Sequence, residues 1–172
     1  NIVHPTIYVS NDGDNLINNG SENSPLRTIV YALQQAEPGD TIIVKPGIYY
    51  EYNIGSYAAG NEGGEENAWI TVRSEVPYGA IIDALGTTDS EIIRCYEKDY
   101  MIFDGFEVRN SGLNVIHADN NSHDIIFRNI LEHDAGPNGD VMKFNQYFKK
   151  TVENCCLLYT SDAADELPCL AL

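Results

Sequence analysis

The stretch "YMIFDGFEVRNSG" (residues 100–112) is answered 24 residues later by "DIIFRNILEHDAG" (residues 124–136), and then by the shorter "TVENC" (residues 151–155). A partial match, "AIIDALG" (residues 80–86), precedes both. Within each unit apolar and polar residues alternate up to a Gly or Asn, which is the period of a strand ending in a turn. Units this short cannot bury their own apolar face. Their recurrence therefore predicts stacked coils that share one core.

Between these units runs a second series, "TIIVKPG" (41–47), "WITVRSE" (69–75), "IIRCYEK" (92–98), "VIHADNN" (115–121) and "VMKFNQY" (141–147), at spacings of 28, 23, 23 and 26 residues. Alternate strand residues face opposite ways. One face reads Ile42/Val44, Ile70/Val72, Ile93/Cys95, Ile116/Ala118 and Met142/Phe144, and is predicted to point inward as one stacked column. The other reads Ile43/Lys45, Thr71/Arg73, Arg94/Tyr96, His117/Asp119 and Lys143/Asn145, and is predicted to point outward. Phe103, Phe106, Phe127 and Ile130 are expected to fill the interior from the second series. Asn129 and Asn154 fall at equivalent corners, where asparagine tolerates a left-handed backbone. The fold class that follows is all-β, a parallel β-helix.

Upstream, "SPLRTIVYALQQAEPGD" has Ser24 placed as N-cap, Pro25 at the first helical position and Leu26, Ile29, Val30 and Leu33 at helical spacing. A helix there would cover the open end of the solenoid. The segments "NDGDNLINNGSENS" and "GSYAAGNEGGEEN" are too polar and too rich in Asn and Gly for anything but loop. The chain thus divides into residues 1–40 (strand, loop and capping helix), residues 41–155 (coils) and a tail, residues 156–172. In that tail "CLLYTSDAADE", Cys156 to Glu166, looks like a transposon-based sequencing adapter translated in one frame, so residues 156–172 are expected to be non-native and the natural protein to continue differently.

Bulk properties bound the function. The 172 residues carry a formal charge of -16, which excludes general attraction to nucleic acid or anionic membranes. No apolar run is long enough to span a bilayer. Residues 1–91 hold 13 acidic and 3 basic side chains, whereas residues 92–155 hold 10 and 7, so anion-binding capacity lies in the second half. With the tail set aside, Cys95 and Cys155 are too few for a disulfide framework.

The run "YVSNDGDN…SPLRTIVYALQQAEPGDTIIVKPGIYYE" resembles the N-terminal signature of right-handed parallel β-helix proteins of the pectate-lyase-like superfamily, which includes pectate, alginate and chondroitin lyases. The resemblance covers residues 7–51 well and the coils to about residue 155 in outline. It implies a secreted or cell-surface protein, acting as a monomer on acidic polysaccharide, commonly with Ca²⁺, along the outward face of the first strands. Lyases of this fold use Lys or Arg as the base that removes the proton α to a uronate carboxylate. Lys143 is the candidate base, Arg94, His117, Tyr96 and Asn145 are candidate substrate contacts, and Asp119 and Asp140 are candidate Ca²⁺ ligands. His123 and His133 have no metal-ligand spacing and receive no role. The paired-aspartate motif of polygalacturonases and the Asp-Pro-His signature of alginate epimerases are absent from the sequence, and "GDVMK" matches the acidic-pair-plus-Lys pattern of chondroitinase-like lyases only loosely. A non-catalytic carbohydrate-binding or adhesin-like β-helix is the competing expectation.

Overall fold

The computed structural model describes residues 4–56, 63–87, 90–145 and 150–158. Its strands are all parallel and wind into three sheets, a right-handed parallel β-helix. The first sheet has six strands in the order β1 (Thr6–Val9), β2 (Thr41–Val44), β4 (Ile70–Ser74), β7 (Asp99–Asp104), β10 (His123–Arg128) and β13 (Lys150–Glu153). The second has five, β3 (Gly47–Tyr49), β5 (Ala80–Asp83), β8 (Glu107–Arg109), β11 (Leu131–His133) and β14 (Cys156–Leu158). The third has three, β6 (Ile93–Tyr96), β9 (Ile116–Asp119) and β12 (Met142–Phe144).

The five segments expected to stack as one column fall on two faces. The first two, β2 and β4, pair with each other and continue into β7, whereas the last three form the third sheet. All five share the apolar alternation, which is why pattern alone merged them. What separates them is the chain that follows. Beyond β2 only Lys45 and Pro46 intervene before a strand of the second sheet, while beyond β6 only Glu97 and Lys98 intervene before a strand of the first. Register also corrects the interior partners, since Ile42 lies beside Val72 and Ile70 beside Met101.

The inward direction of the residues themselves is as read. Ile42, Val44, Ile70, Val72, Ile93, Cys95, Ile116, Ala118, Phe103, Phe106, Phe127 and Ile130 are fully buried. One interior row runs Ile7, Ile42, Val72, Phe103, Phe127 and Val152 through successive coils. Phe103 and Phe127 stack with centroids 5.6 Å apart, and Phe144 lies 6.0 Å from Phe127. Phe144 departs from the expectation of burial, being 39% exposed, and it is the last ring of that stack among the described residues.

The corner between the first and second sheets is tight. Asn129 and Asn154 take left-handed φ values of 51° each, and Asn154 Nδ2 donates to Asn129 Oδ1 at 3.4 Å. Asn129 in turn donates to Asp104 Oδ1 at 2.8 Å. Outside the same sheet, Arg73, Asp104, Arg128 and Glu153 succeed one another in register, an alternation of charge in which Arg128 Nε meets Asp104 Oδ2 at 2.9 Å.

Helix α1 (Ile29–Gln35) covers the start of the solenoid through buried Ile29, Ala32 and Leu33, but it starts later than expected. Leu26 bonds to Tyr8 and Ser10 through its backbone, so "SPL" runs alongside β1 instead of entering the helix. Thr28 is the N-cap, its hydroxyl accepting from the Tyr31 N–H at 3.2 Å, and the Glu51 carboxylate accepts from the N–H groups of Ile29 and Val30 at 2.9 Å each. At the other end, Cys156–Leu158, expected to belong to a non-native tail, pair with Leu131–His133 as β14. Residues 159–172 lie outside the described residues, and so does the remainder of the expectation about the tail.

Candidate functional site

The three-stranded sheet carries the residues singled out in the sequence. Arg94 pairs in register with His117, and His117 with Lys143, so the three occupy one column on successive coils at the usual strand spacing of about 4.8 Å. Tyr96 pairs with Asp119 in the adjoining column, where the Asn145 N–H donates to the Ala118 carbonyl at 3.1 Å.

The column is not a row of free cations. His117 is 7% exposed, and its Nδ1 lies 2.6 Å from Glu91 Oε1. Its Nε2 faces Asn145 Nδ2 at 3.0 Å and Asp119 Oδ2 at 3.6 Å. Arg94 pairs through Nε with Glu91 Oε2 at 3.2 Å, reaches Asp119 Oδ2 at 3.8 Å through Nη2, and lies with its guanidinium carbon 5.4 Å from the centre of the Tyr96 ring. Lys143 is half-buried and has no ion pair among the described residues.

Glu91 organises this network, and the sequence reading missed it. It is 4% exposed, and its Oε1 also accepts from Asn114 Nδ2 at 2.5 Å. Burial alone would push its carboxyl up, but the hydrogen bonds from His117 and Asn114, with the charge of Arg94, outweigh burial and hold it below the ordinary carboxylate range. Asn114, 1% exposed, accepts the Asp140 N–H through Oδ1 at 2.9 Å. The signal was present in the spacing: Glu91, Asn114 and Asp140 each stand three residues before Arg94, His117 and Lys143. Glu91 and Asn114 are buried at that position and bonded to each other, whereas Asp140 is exposed and reaches Asn114 through its backbone.

The two acidic residues proposed for calcium are not brought together. Asp140 lies beside Asn114 at the entrance to the sheet, whereas Asp119 ends β9. Five residues of extended chain, about 16 Å, separate those two ends. Asp119 keeps one buried oxygen, Oδ1, without a hydrogen-bond partner among the described residues, but its other oxygen faces Arg94 and His117. Calcium takes six to eight oxygen ligands, and the described residues include no group of three or more metal-ligating side chains able to hold an ion. These residues do not fit a calcium cage.

Comparison with known proteins agrees with the fold. Residues 11–57 match a family described as a protein of unknown function, DUF1565. Pectate lyase L of Dickeya chrysanthemi is 31% identical over 113 residues, 61% of this chain and 26% of that protein. The chain therefore spans about a quarter of that relative's length. Among solved structures, pectate lyase Pel9A superposes with a TM-score of 0.67 at 24% identity, covering 90% of this chain and 40% of that one. A rhamnogalacturonan lyase gives 0.69 at 16% identity, covering 88% and 41%. A lacto-N-biosidase of Eubacterium ramulus gives 0.67 at 17% identity, covering 88% and 34%. Coil geometry, N-terminal signature and these likenesses agree on the fold, and the chain is a pectate-lyase-like right-handed parallel β-helix.

Proposed function

We propose that the third face binds a uronate-containing polysaccharide outside the cell, and that Lys143 is the base of a lyase-like β-elimination there. The observation that carries this reading is the division of labour within one column. Arg94 and His117 are tied to Glu91, while Lys143 has no ion pair among the described residues. In a chain of formal charge -16, such an amine on an outward strand is a local site for a carboxylate. The chemistry asked of it is limited. The amine, which draws the uronate in as a cation, acts after giving its proton to solvent: it removes the proton from the carbon bearing the carboxylate, those electrons form a carbon–carbon double bond, and the bond to the glycosidic oxygen on the next carbon breaks. The departing oxygen then takes a proton from water. Arg94, over the Tyr96 ring, is the neighbouring cation that would meet a second carboxylate. The names of the pectate lyase and rhamnogalacturonan lyase relatives support the substrate class. Calcium enters no step, because Asp119 and Asp140 offer it no shared site.

The test incubates the protein with polygalacturonate, alginate and glycosaminoglycans, with and without Ca²⁺, and follows the ultraviolet absorbance of the unsaturated product. Activity abolished by Lys143→Ala supports the reading, and activity unchanged by it removes the lysine from the mechanism. Retention of a polymer without turnover would favour the carbohydrate-binding alternative, and neither binding nor turnover would leave a structural role.

A further inference from the structure

We infer that Glu91 and His117 are positioning residues that fix which way round the Asn145 side-chain amide sits, so that its carbonyl oxygen faces the groove beside Lys143. The site thereby takes a sugar acid whose hydroxyl donates a hydrogen bond next to its carboxylate. This rests on the reading of the third face as the polysaccharide site, but its core can be tested without any ligand.

The chain of deduction starts at a donor whose direction is known. The Asp140 backbone N–H donates to Asn114 Oδ1, which fixes that amide and leaves its Nδ2 as the group 2.5 Å from Glu91 Oε1. Glu91 Oε1 is therefore an acceptor, and an ionised carboxylate, paired here with Arg94, has no proton to give. The contact of 2.6 Å between Glu91 Oε1 and His117 Nδ1 then requires the proton to sit on Nδ1. Asn145 Nδ2, 3.0 Å from Nε2, can only donate, so Nε2 accepts from the Asn145 NH₂ and the ring carries its proton on Nδ1. The Asn145 oxygen is thereby turned the other way. Asn145 is exposed, and it follows Lys143 by two residues, on the same face about 6.7 Å further along the strand. A carboxylate on Lys143 and a hydroxyl on Asn145 Oδ1 can thus be met together.

Protonation of His117 would reverse the last link, because an Nε2–H needs an acceptor and Asn145 would have to present its oxygen inward. The charged groups facing that ring are Glu91 and Arg94 from the coil below, Asp119 on its own strand and Lys143 from the coil above. The groove would then offer a donor in place of an acceptor.

Long-range ¹⁵N–¹H correlation of the histidine rings, with His117 assigned by comparison with His117→Gln, reads the tautomer directly in the intact protein. The expected result is Nδ1–H with a bare Nε2 at neutral pH, the same in Asn145→Ala. An Nε2–H tautomer or an imidazolium at neutral pH overturns the inference while leaving the role of Lys143 standing. For the groove, binding of oligogalacturonate is compared with binding of its O-acetylated form. Asn145→Ala is expected to weaken the first about fivefold, one hydrogen bond's worth, and to leave the second unchanged. An equal effect on both would sink the assignment of Asn145 as hydroxyl acceptor. Failure of every oligouronate to bind, with the Nδ1–H tautomer intact, would refute the polysaccharide reading and keep the amide orientation.

Discussion

Glu132 illustrates how much a single residue can weigh inside a solenoid. It lies on β11 between Val108 below and Leu157 above, wholly buried, and neither carboxylate oxygen has a hydrogen-bond partner among the described residues. Burial raises its pKa well above the ordinary value, so the folded protein keeps this proton to a higher pH than the unfolded chain, which releases it near about 4.3. The unfolded state binds fewer protons above that value, and the stability it costs is lost as pH rises. Glu132→Leu is expected to stabilise the protein at neutral pH by about 2 kcal/mol, the scale of an unsatisfied buried polar group, with a smaller gain near pH 4. Thermal unfolding at both pH values checks this, and an equal gain at both would refute it. This residue was illegible in "ILEHDAG" because a Glu inside a strand pattern reads as solvent-facing. Lys143 was expected outward because Met142 and Phe144 flank it; in the structure it is half-buried and Phe144 is the more exposed of the two. That Arg94 and His117 are already partnered was legible only through the polar residue recurring three positions before each of them, Glu91 and Asn114, which stand ahead of the strands and carry no apolar alternation.

At the scale of strands and corners, alternation found most interior residues but placed Ile43 and His117 outward, where both are buried, and Phe144 inward, where it is exposed; it was a poor guide to which sheet a strand joins. Apolar periodicity has the same value on all three faces, so only the connecting lengths distinguish them. The helix start was misplaced for a related reason: Ser24 and Pro25 are good capping residues, yet the pairing of Leu26 with β1 outweighs local propensity. The asparagine corner was readable, and its physics separates two substitutions. Asn129→Ala loses the bond to Asp104 and must still hold a φ of 51°, at a combined cost of about 2 kcal/mol. Asn129→Gly accepts the backbone and should recover about half of that in chemical denaturation; if Gly proved worse than Ala, the left-handed backbone would not be what the position selects. The phenylalanine stack gives a second contrast. Phe127, enclosed between Phe103 and Phe144, should cost about 3–5 kcal/mol as Ala. Phe144→Ala should cost clearly less, since that ring is already 39% exposed. Equal costs would mean that the stack's end is covered in solution.

For the whole molecule, the solenoid was legible because a one-dimensional stack repeats its instructions coil by coil, and each repetition confirms the last. The tail tests the limits of that logic. Its first three residues take up strand pairing on β11, which an apolar triplet such as "CLL" can do whatever its origin. Deleting residues 159–172, whose sequence carries neither a turn glycine nor a strand period, is expected to leave the melting temperature unchanged; a loss of several degrees would show that the segment contributes to the fold. The ladder of Arg73, Asp104, Arg128 and Glu153 imposes one further rule on the stack. Its signs alternate, so excising the single coil that carries Asp104 would set Arg73 directly against Arg128, like charge against like. Excising two coils would restore opposite neighbours. The ladder therefore acts as a parity check on the length of the solenoid, and lineages that shorten or lengthen it face less electrostatic opposition when they change by even numbers of coils.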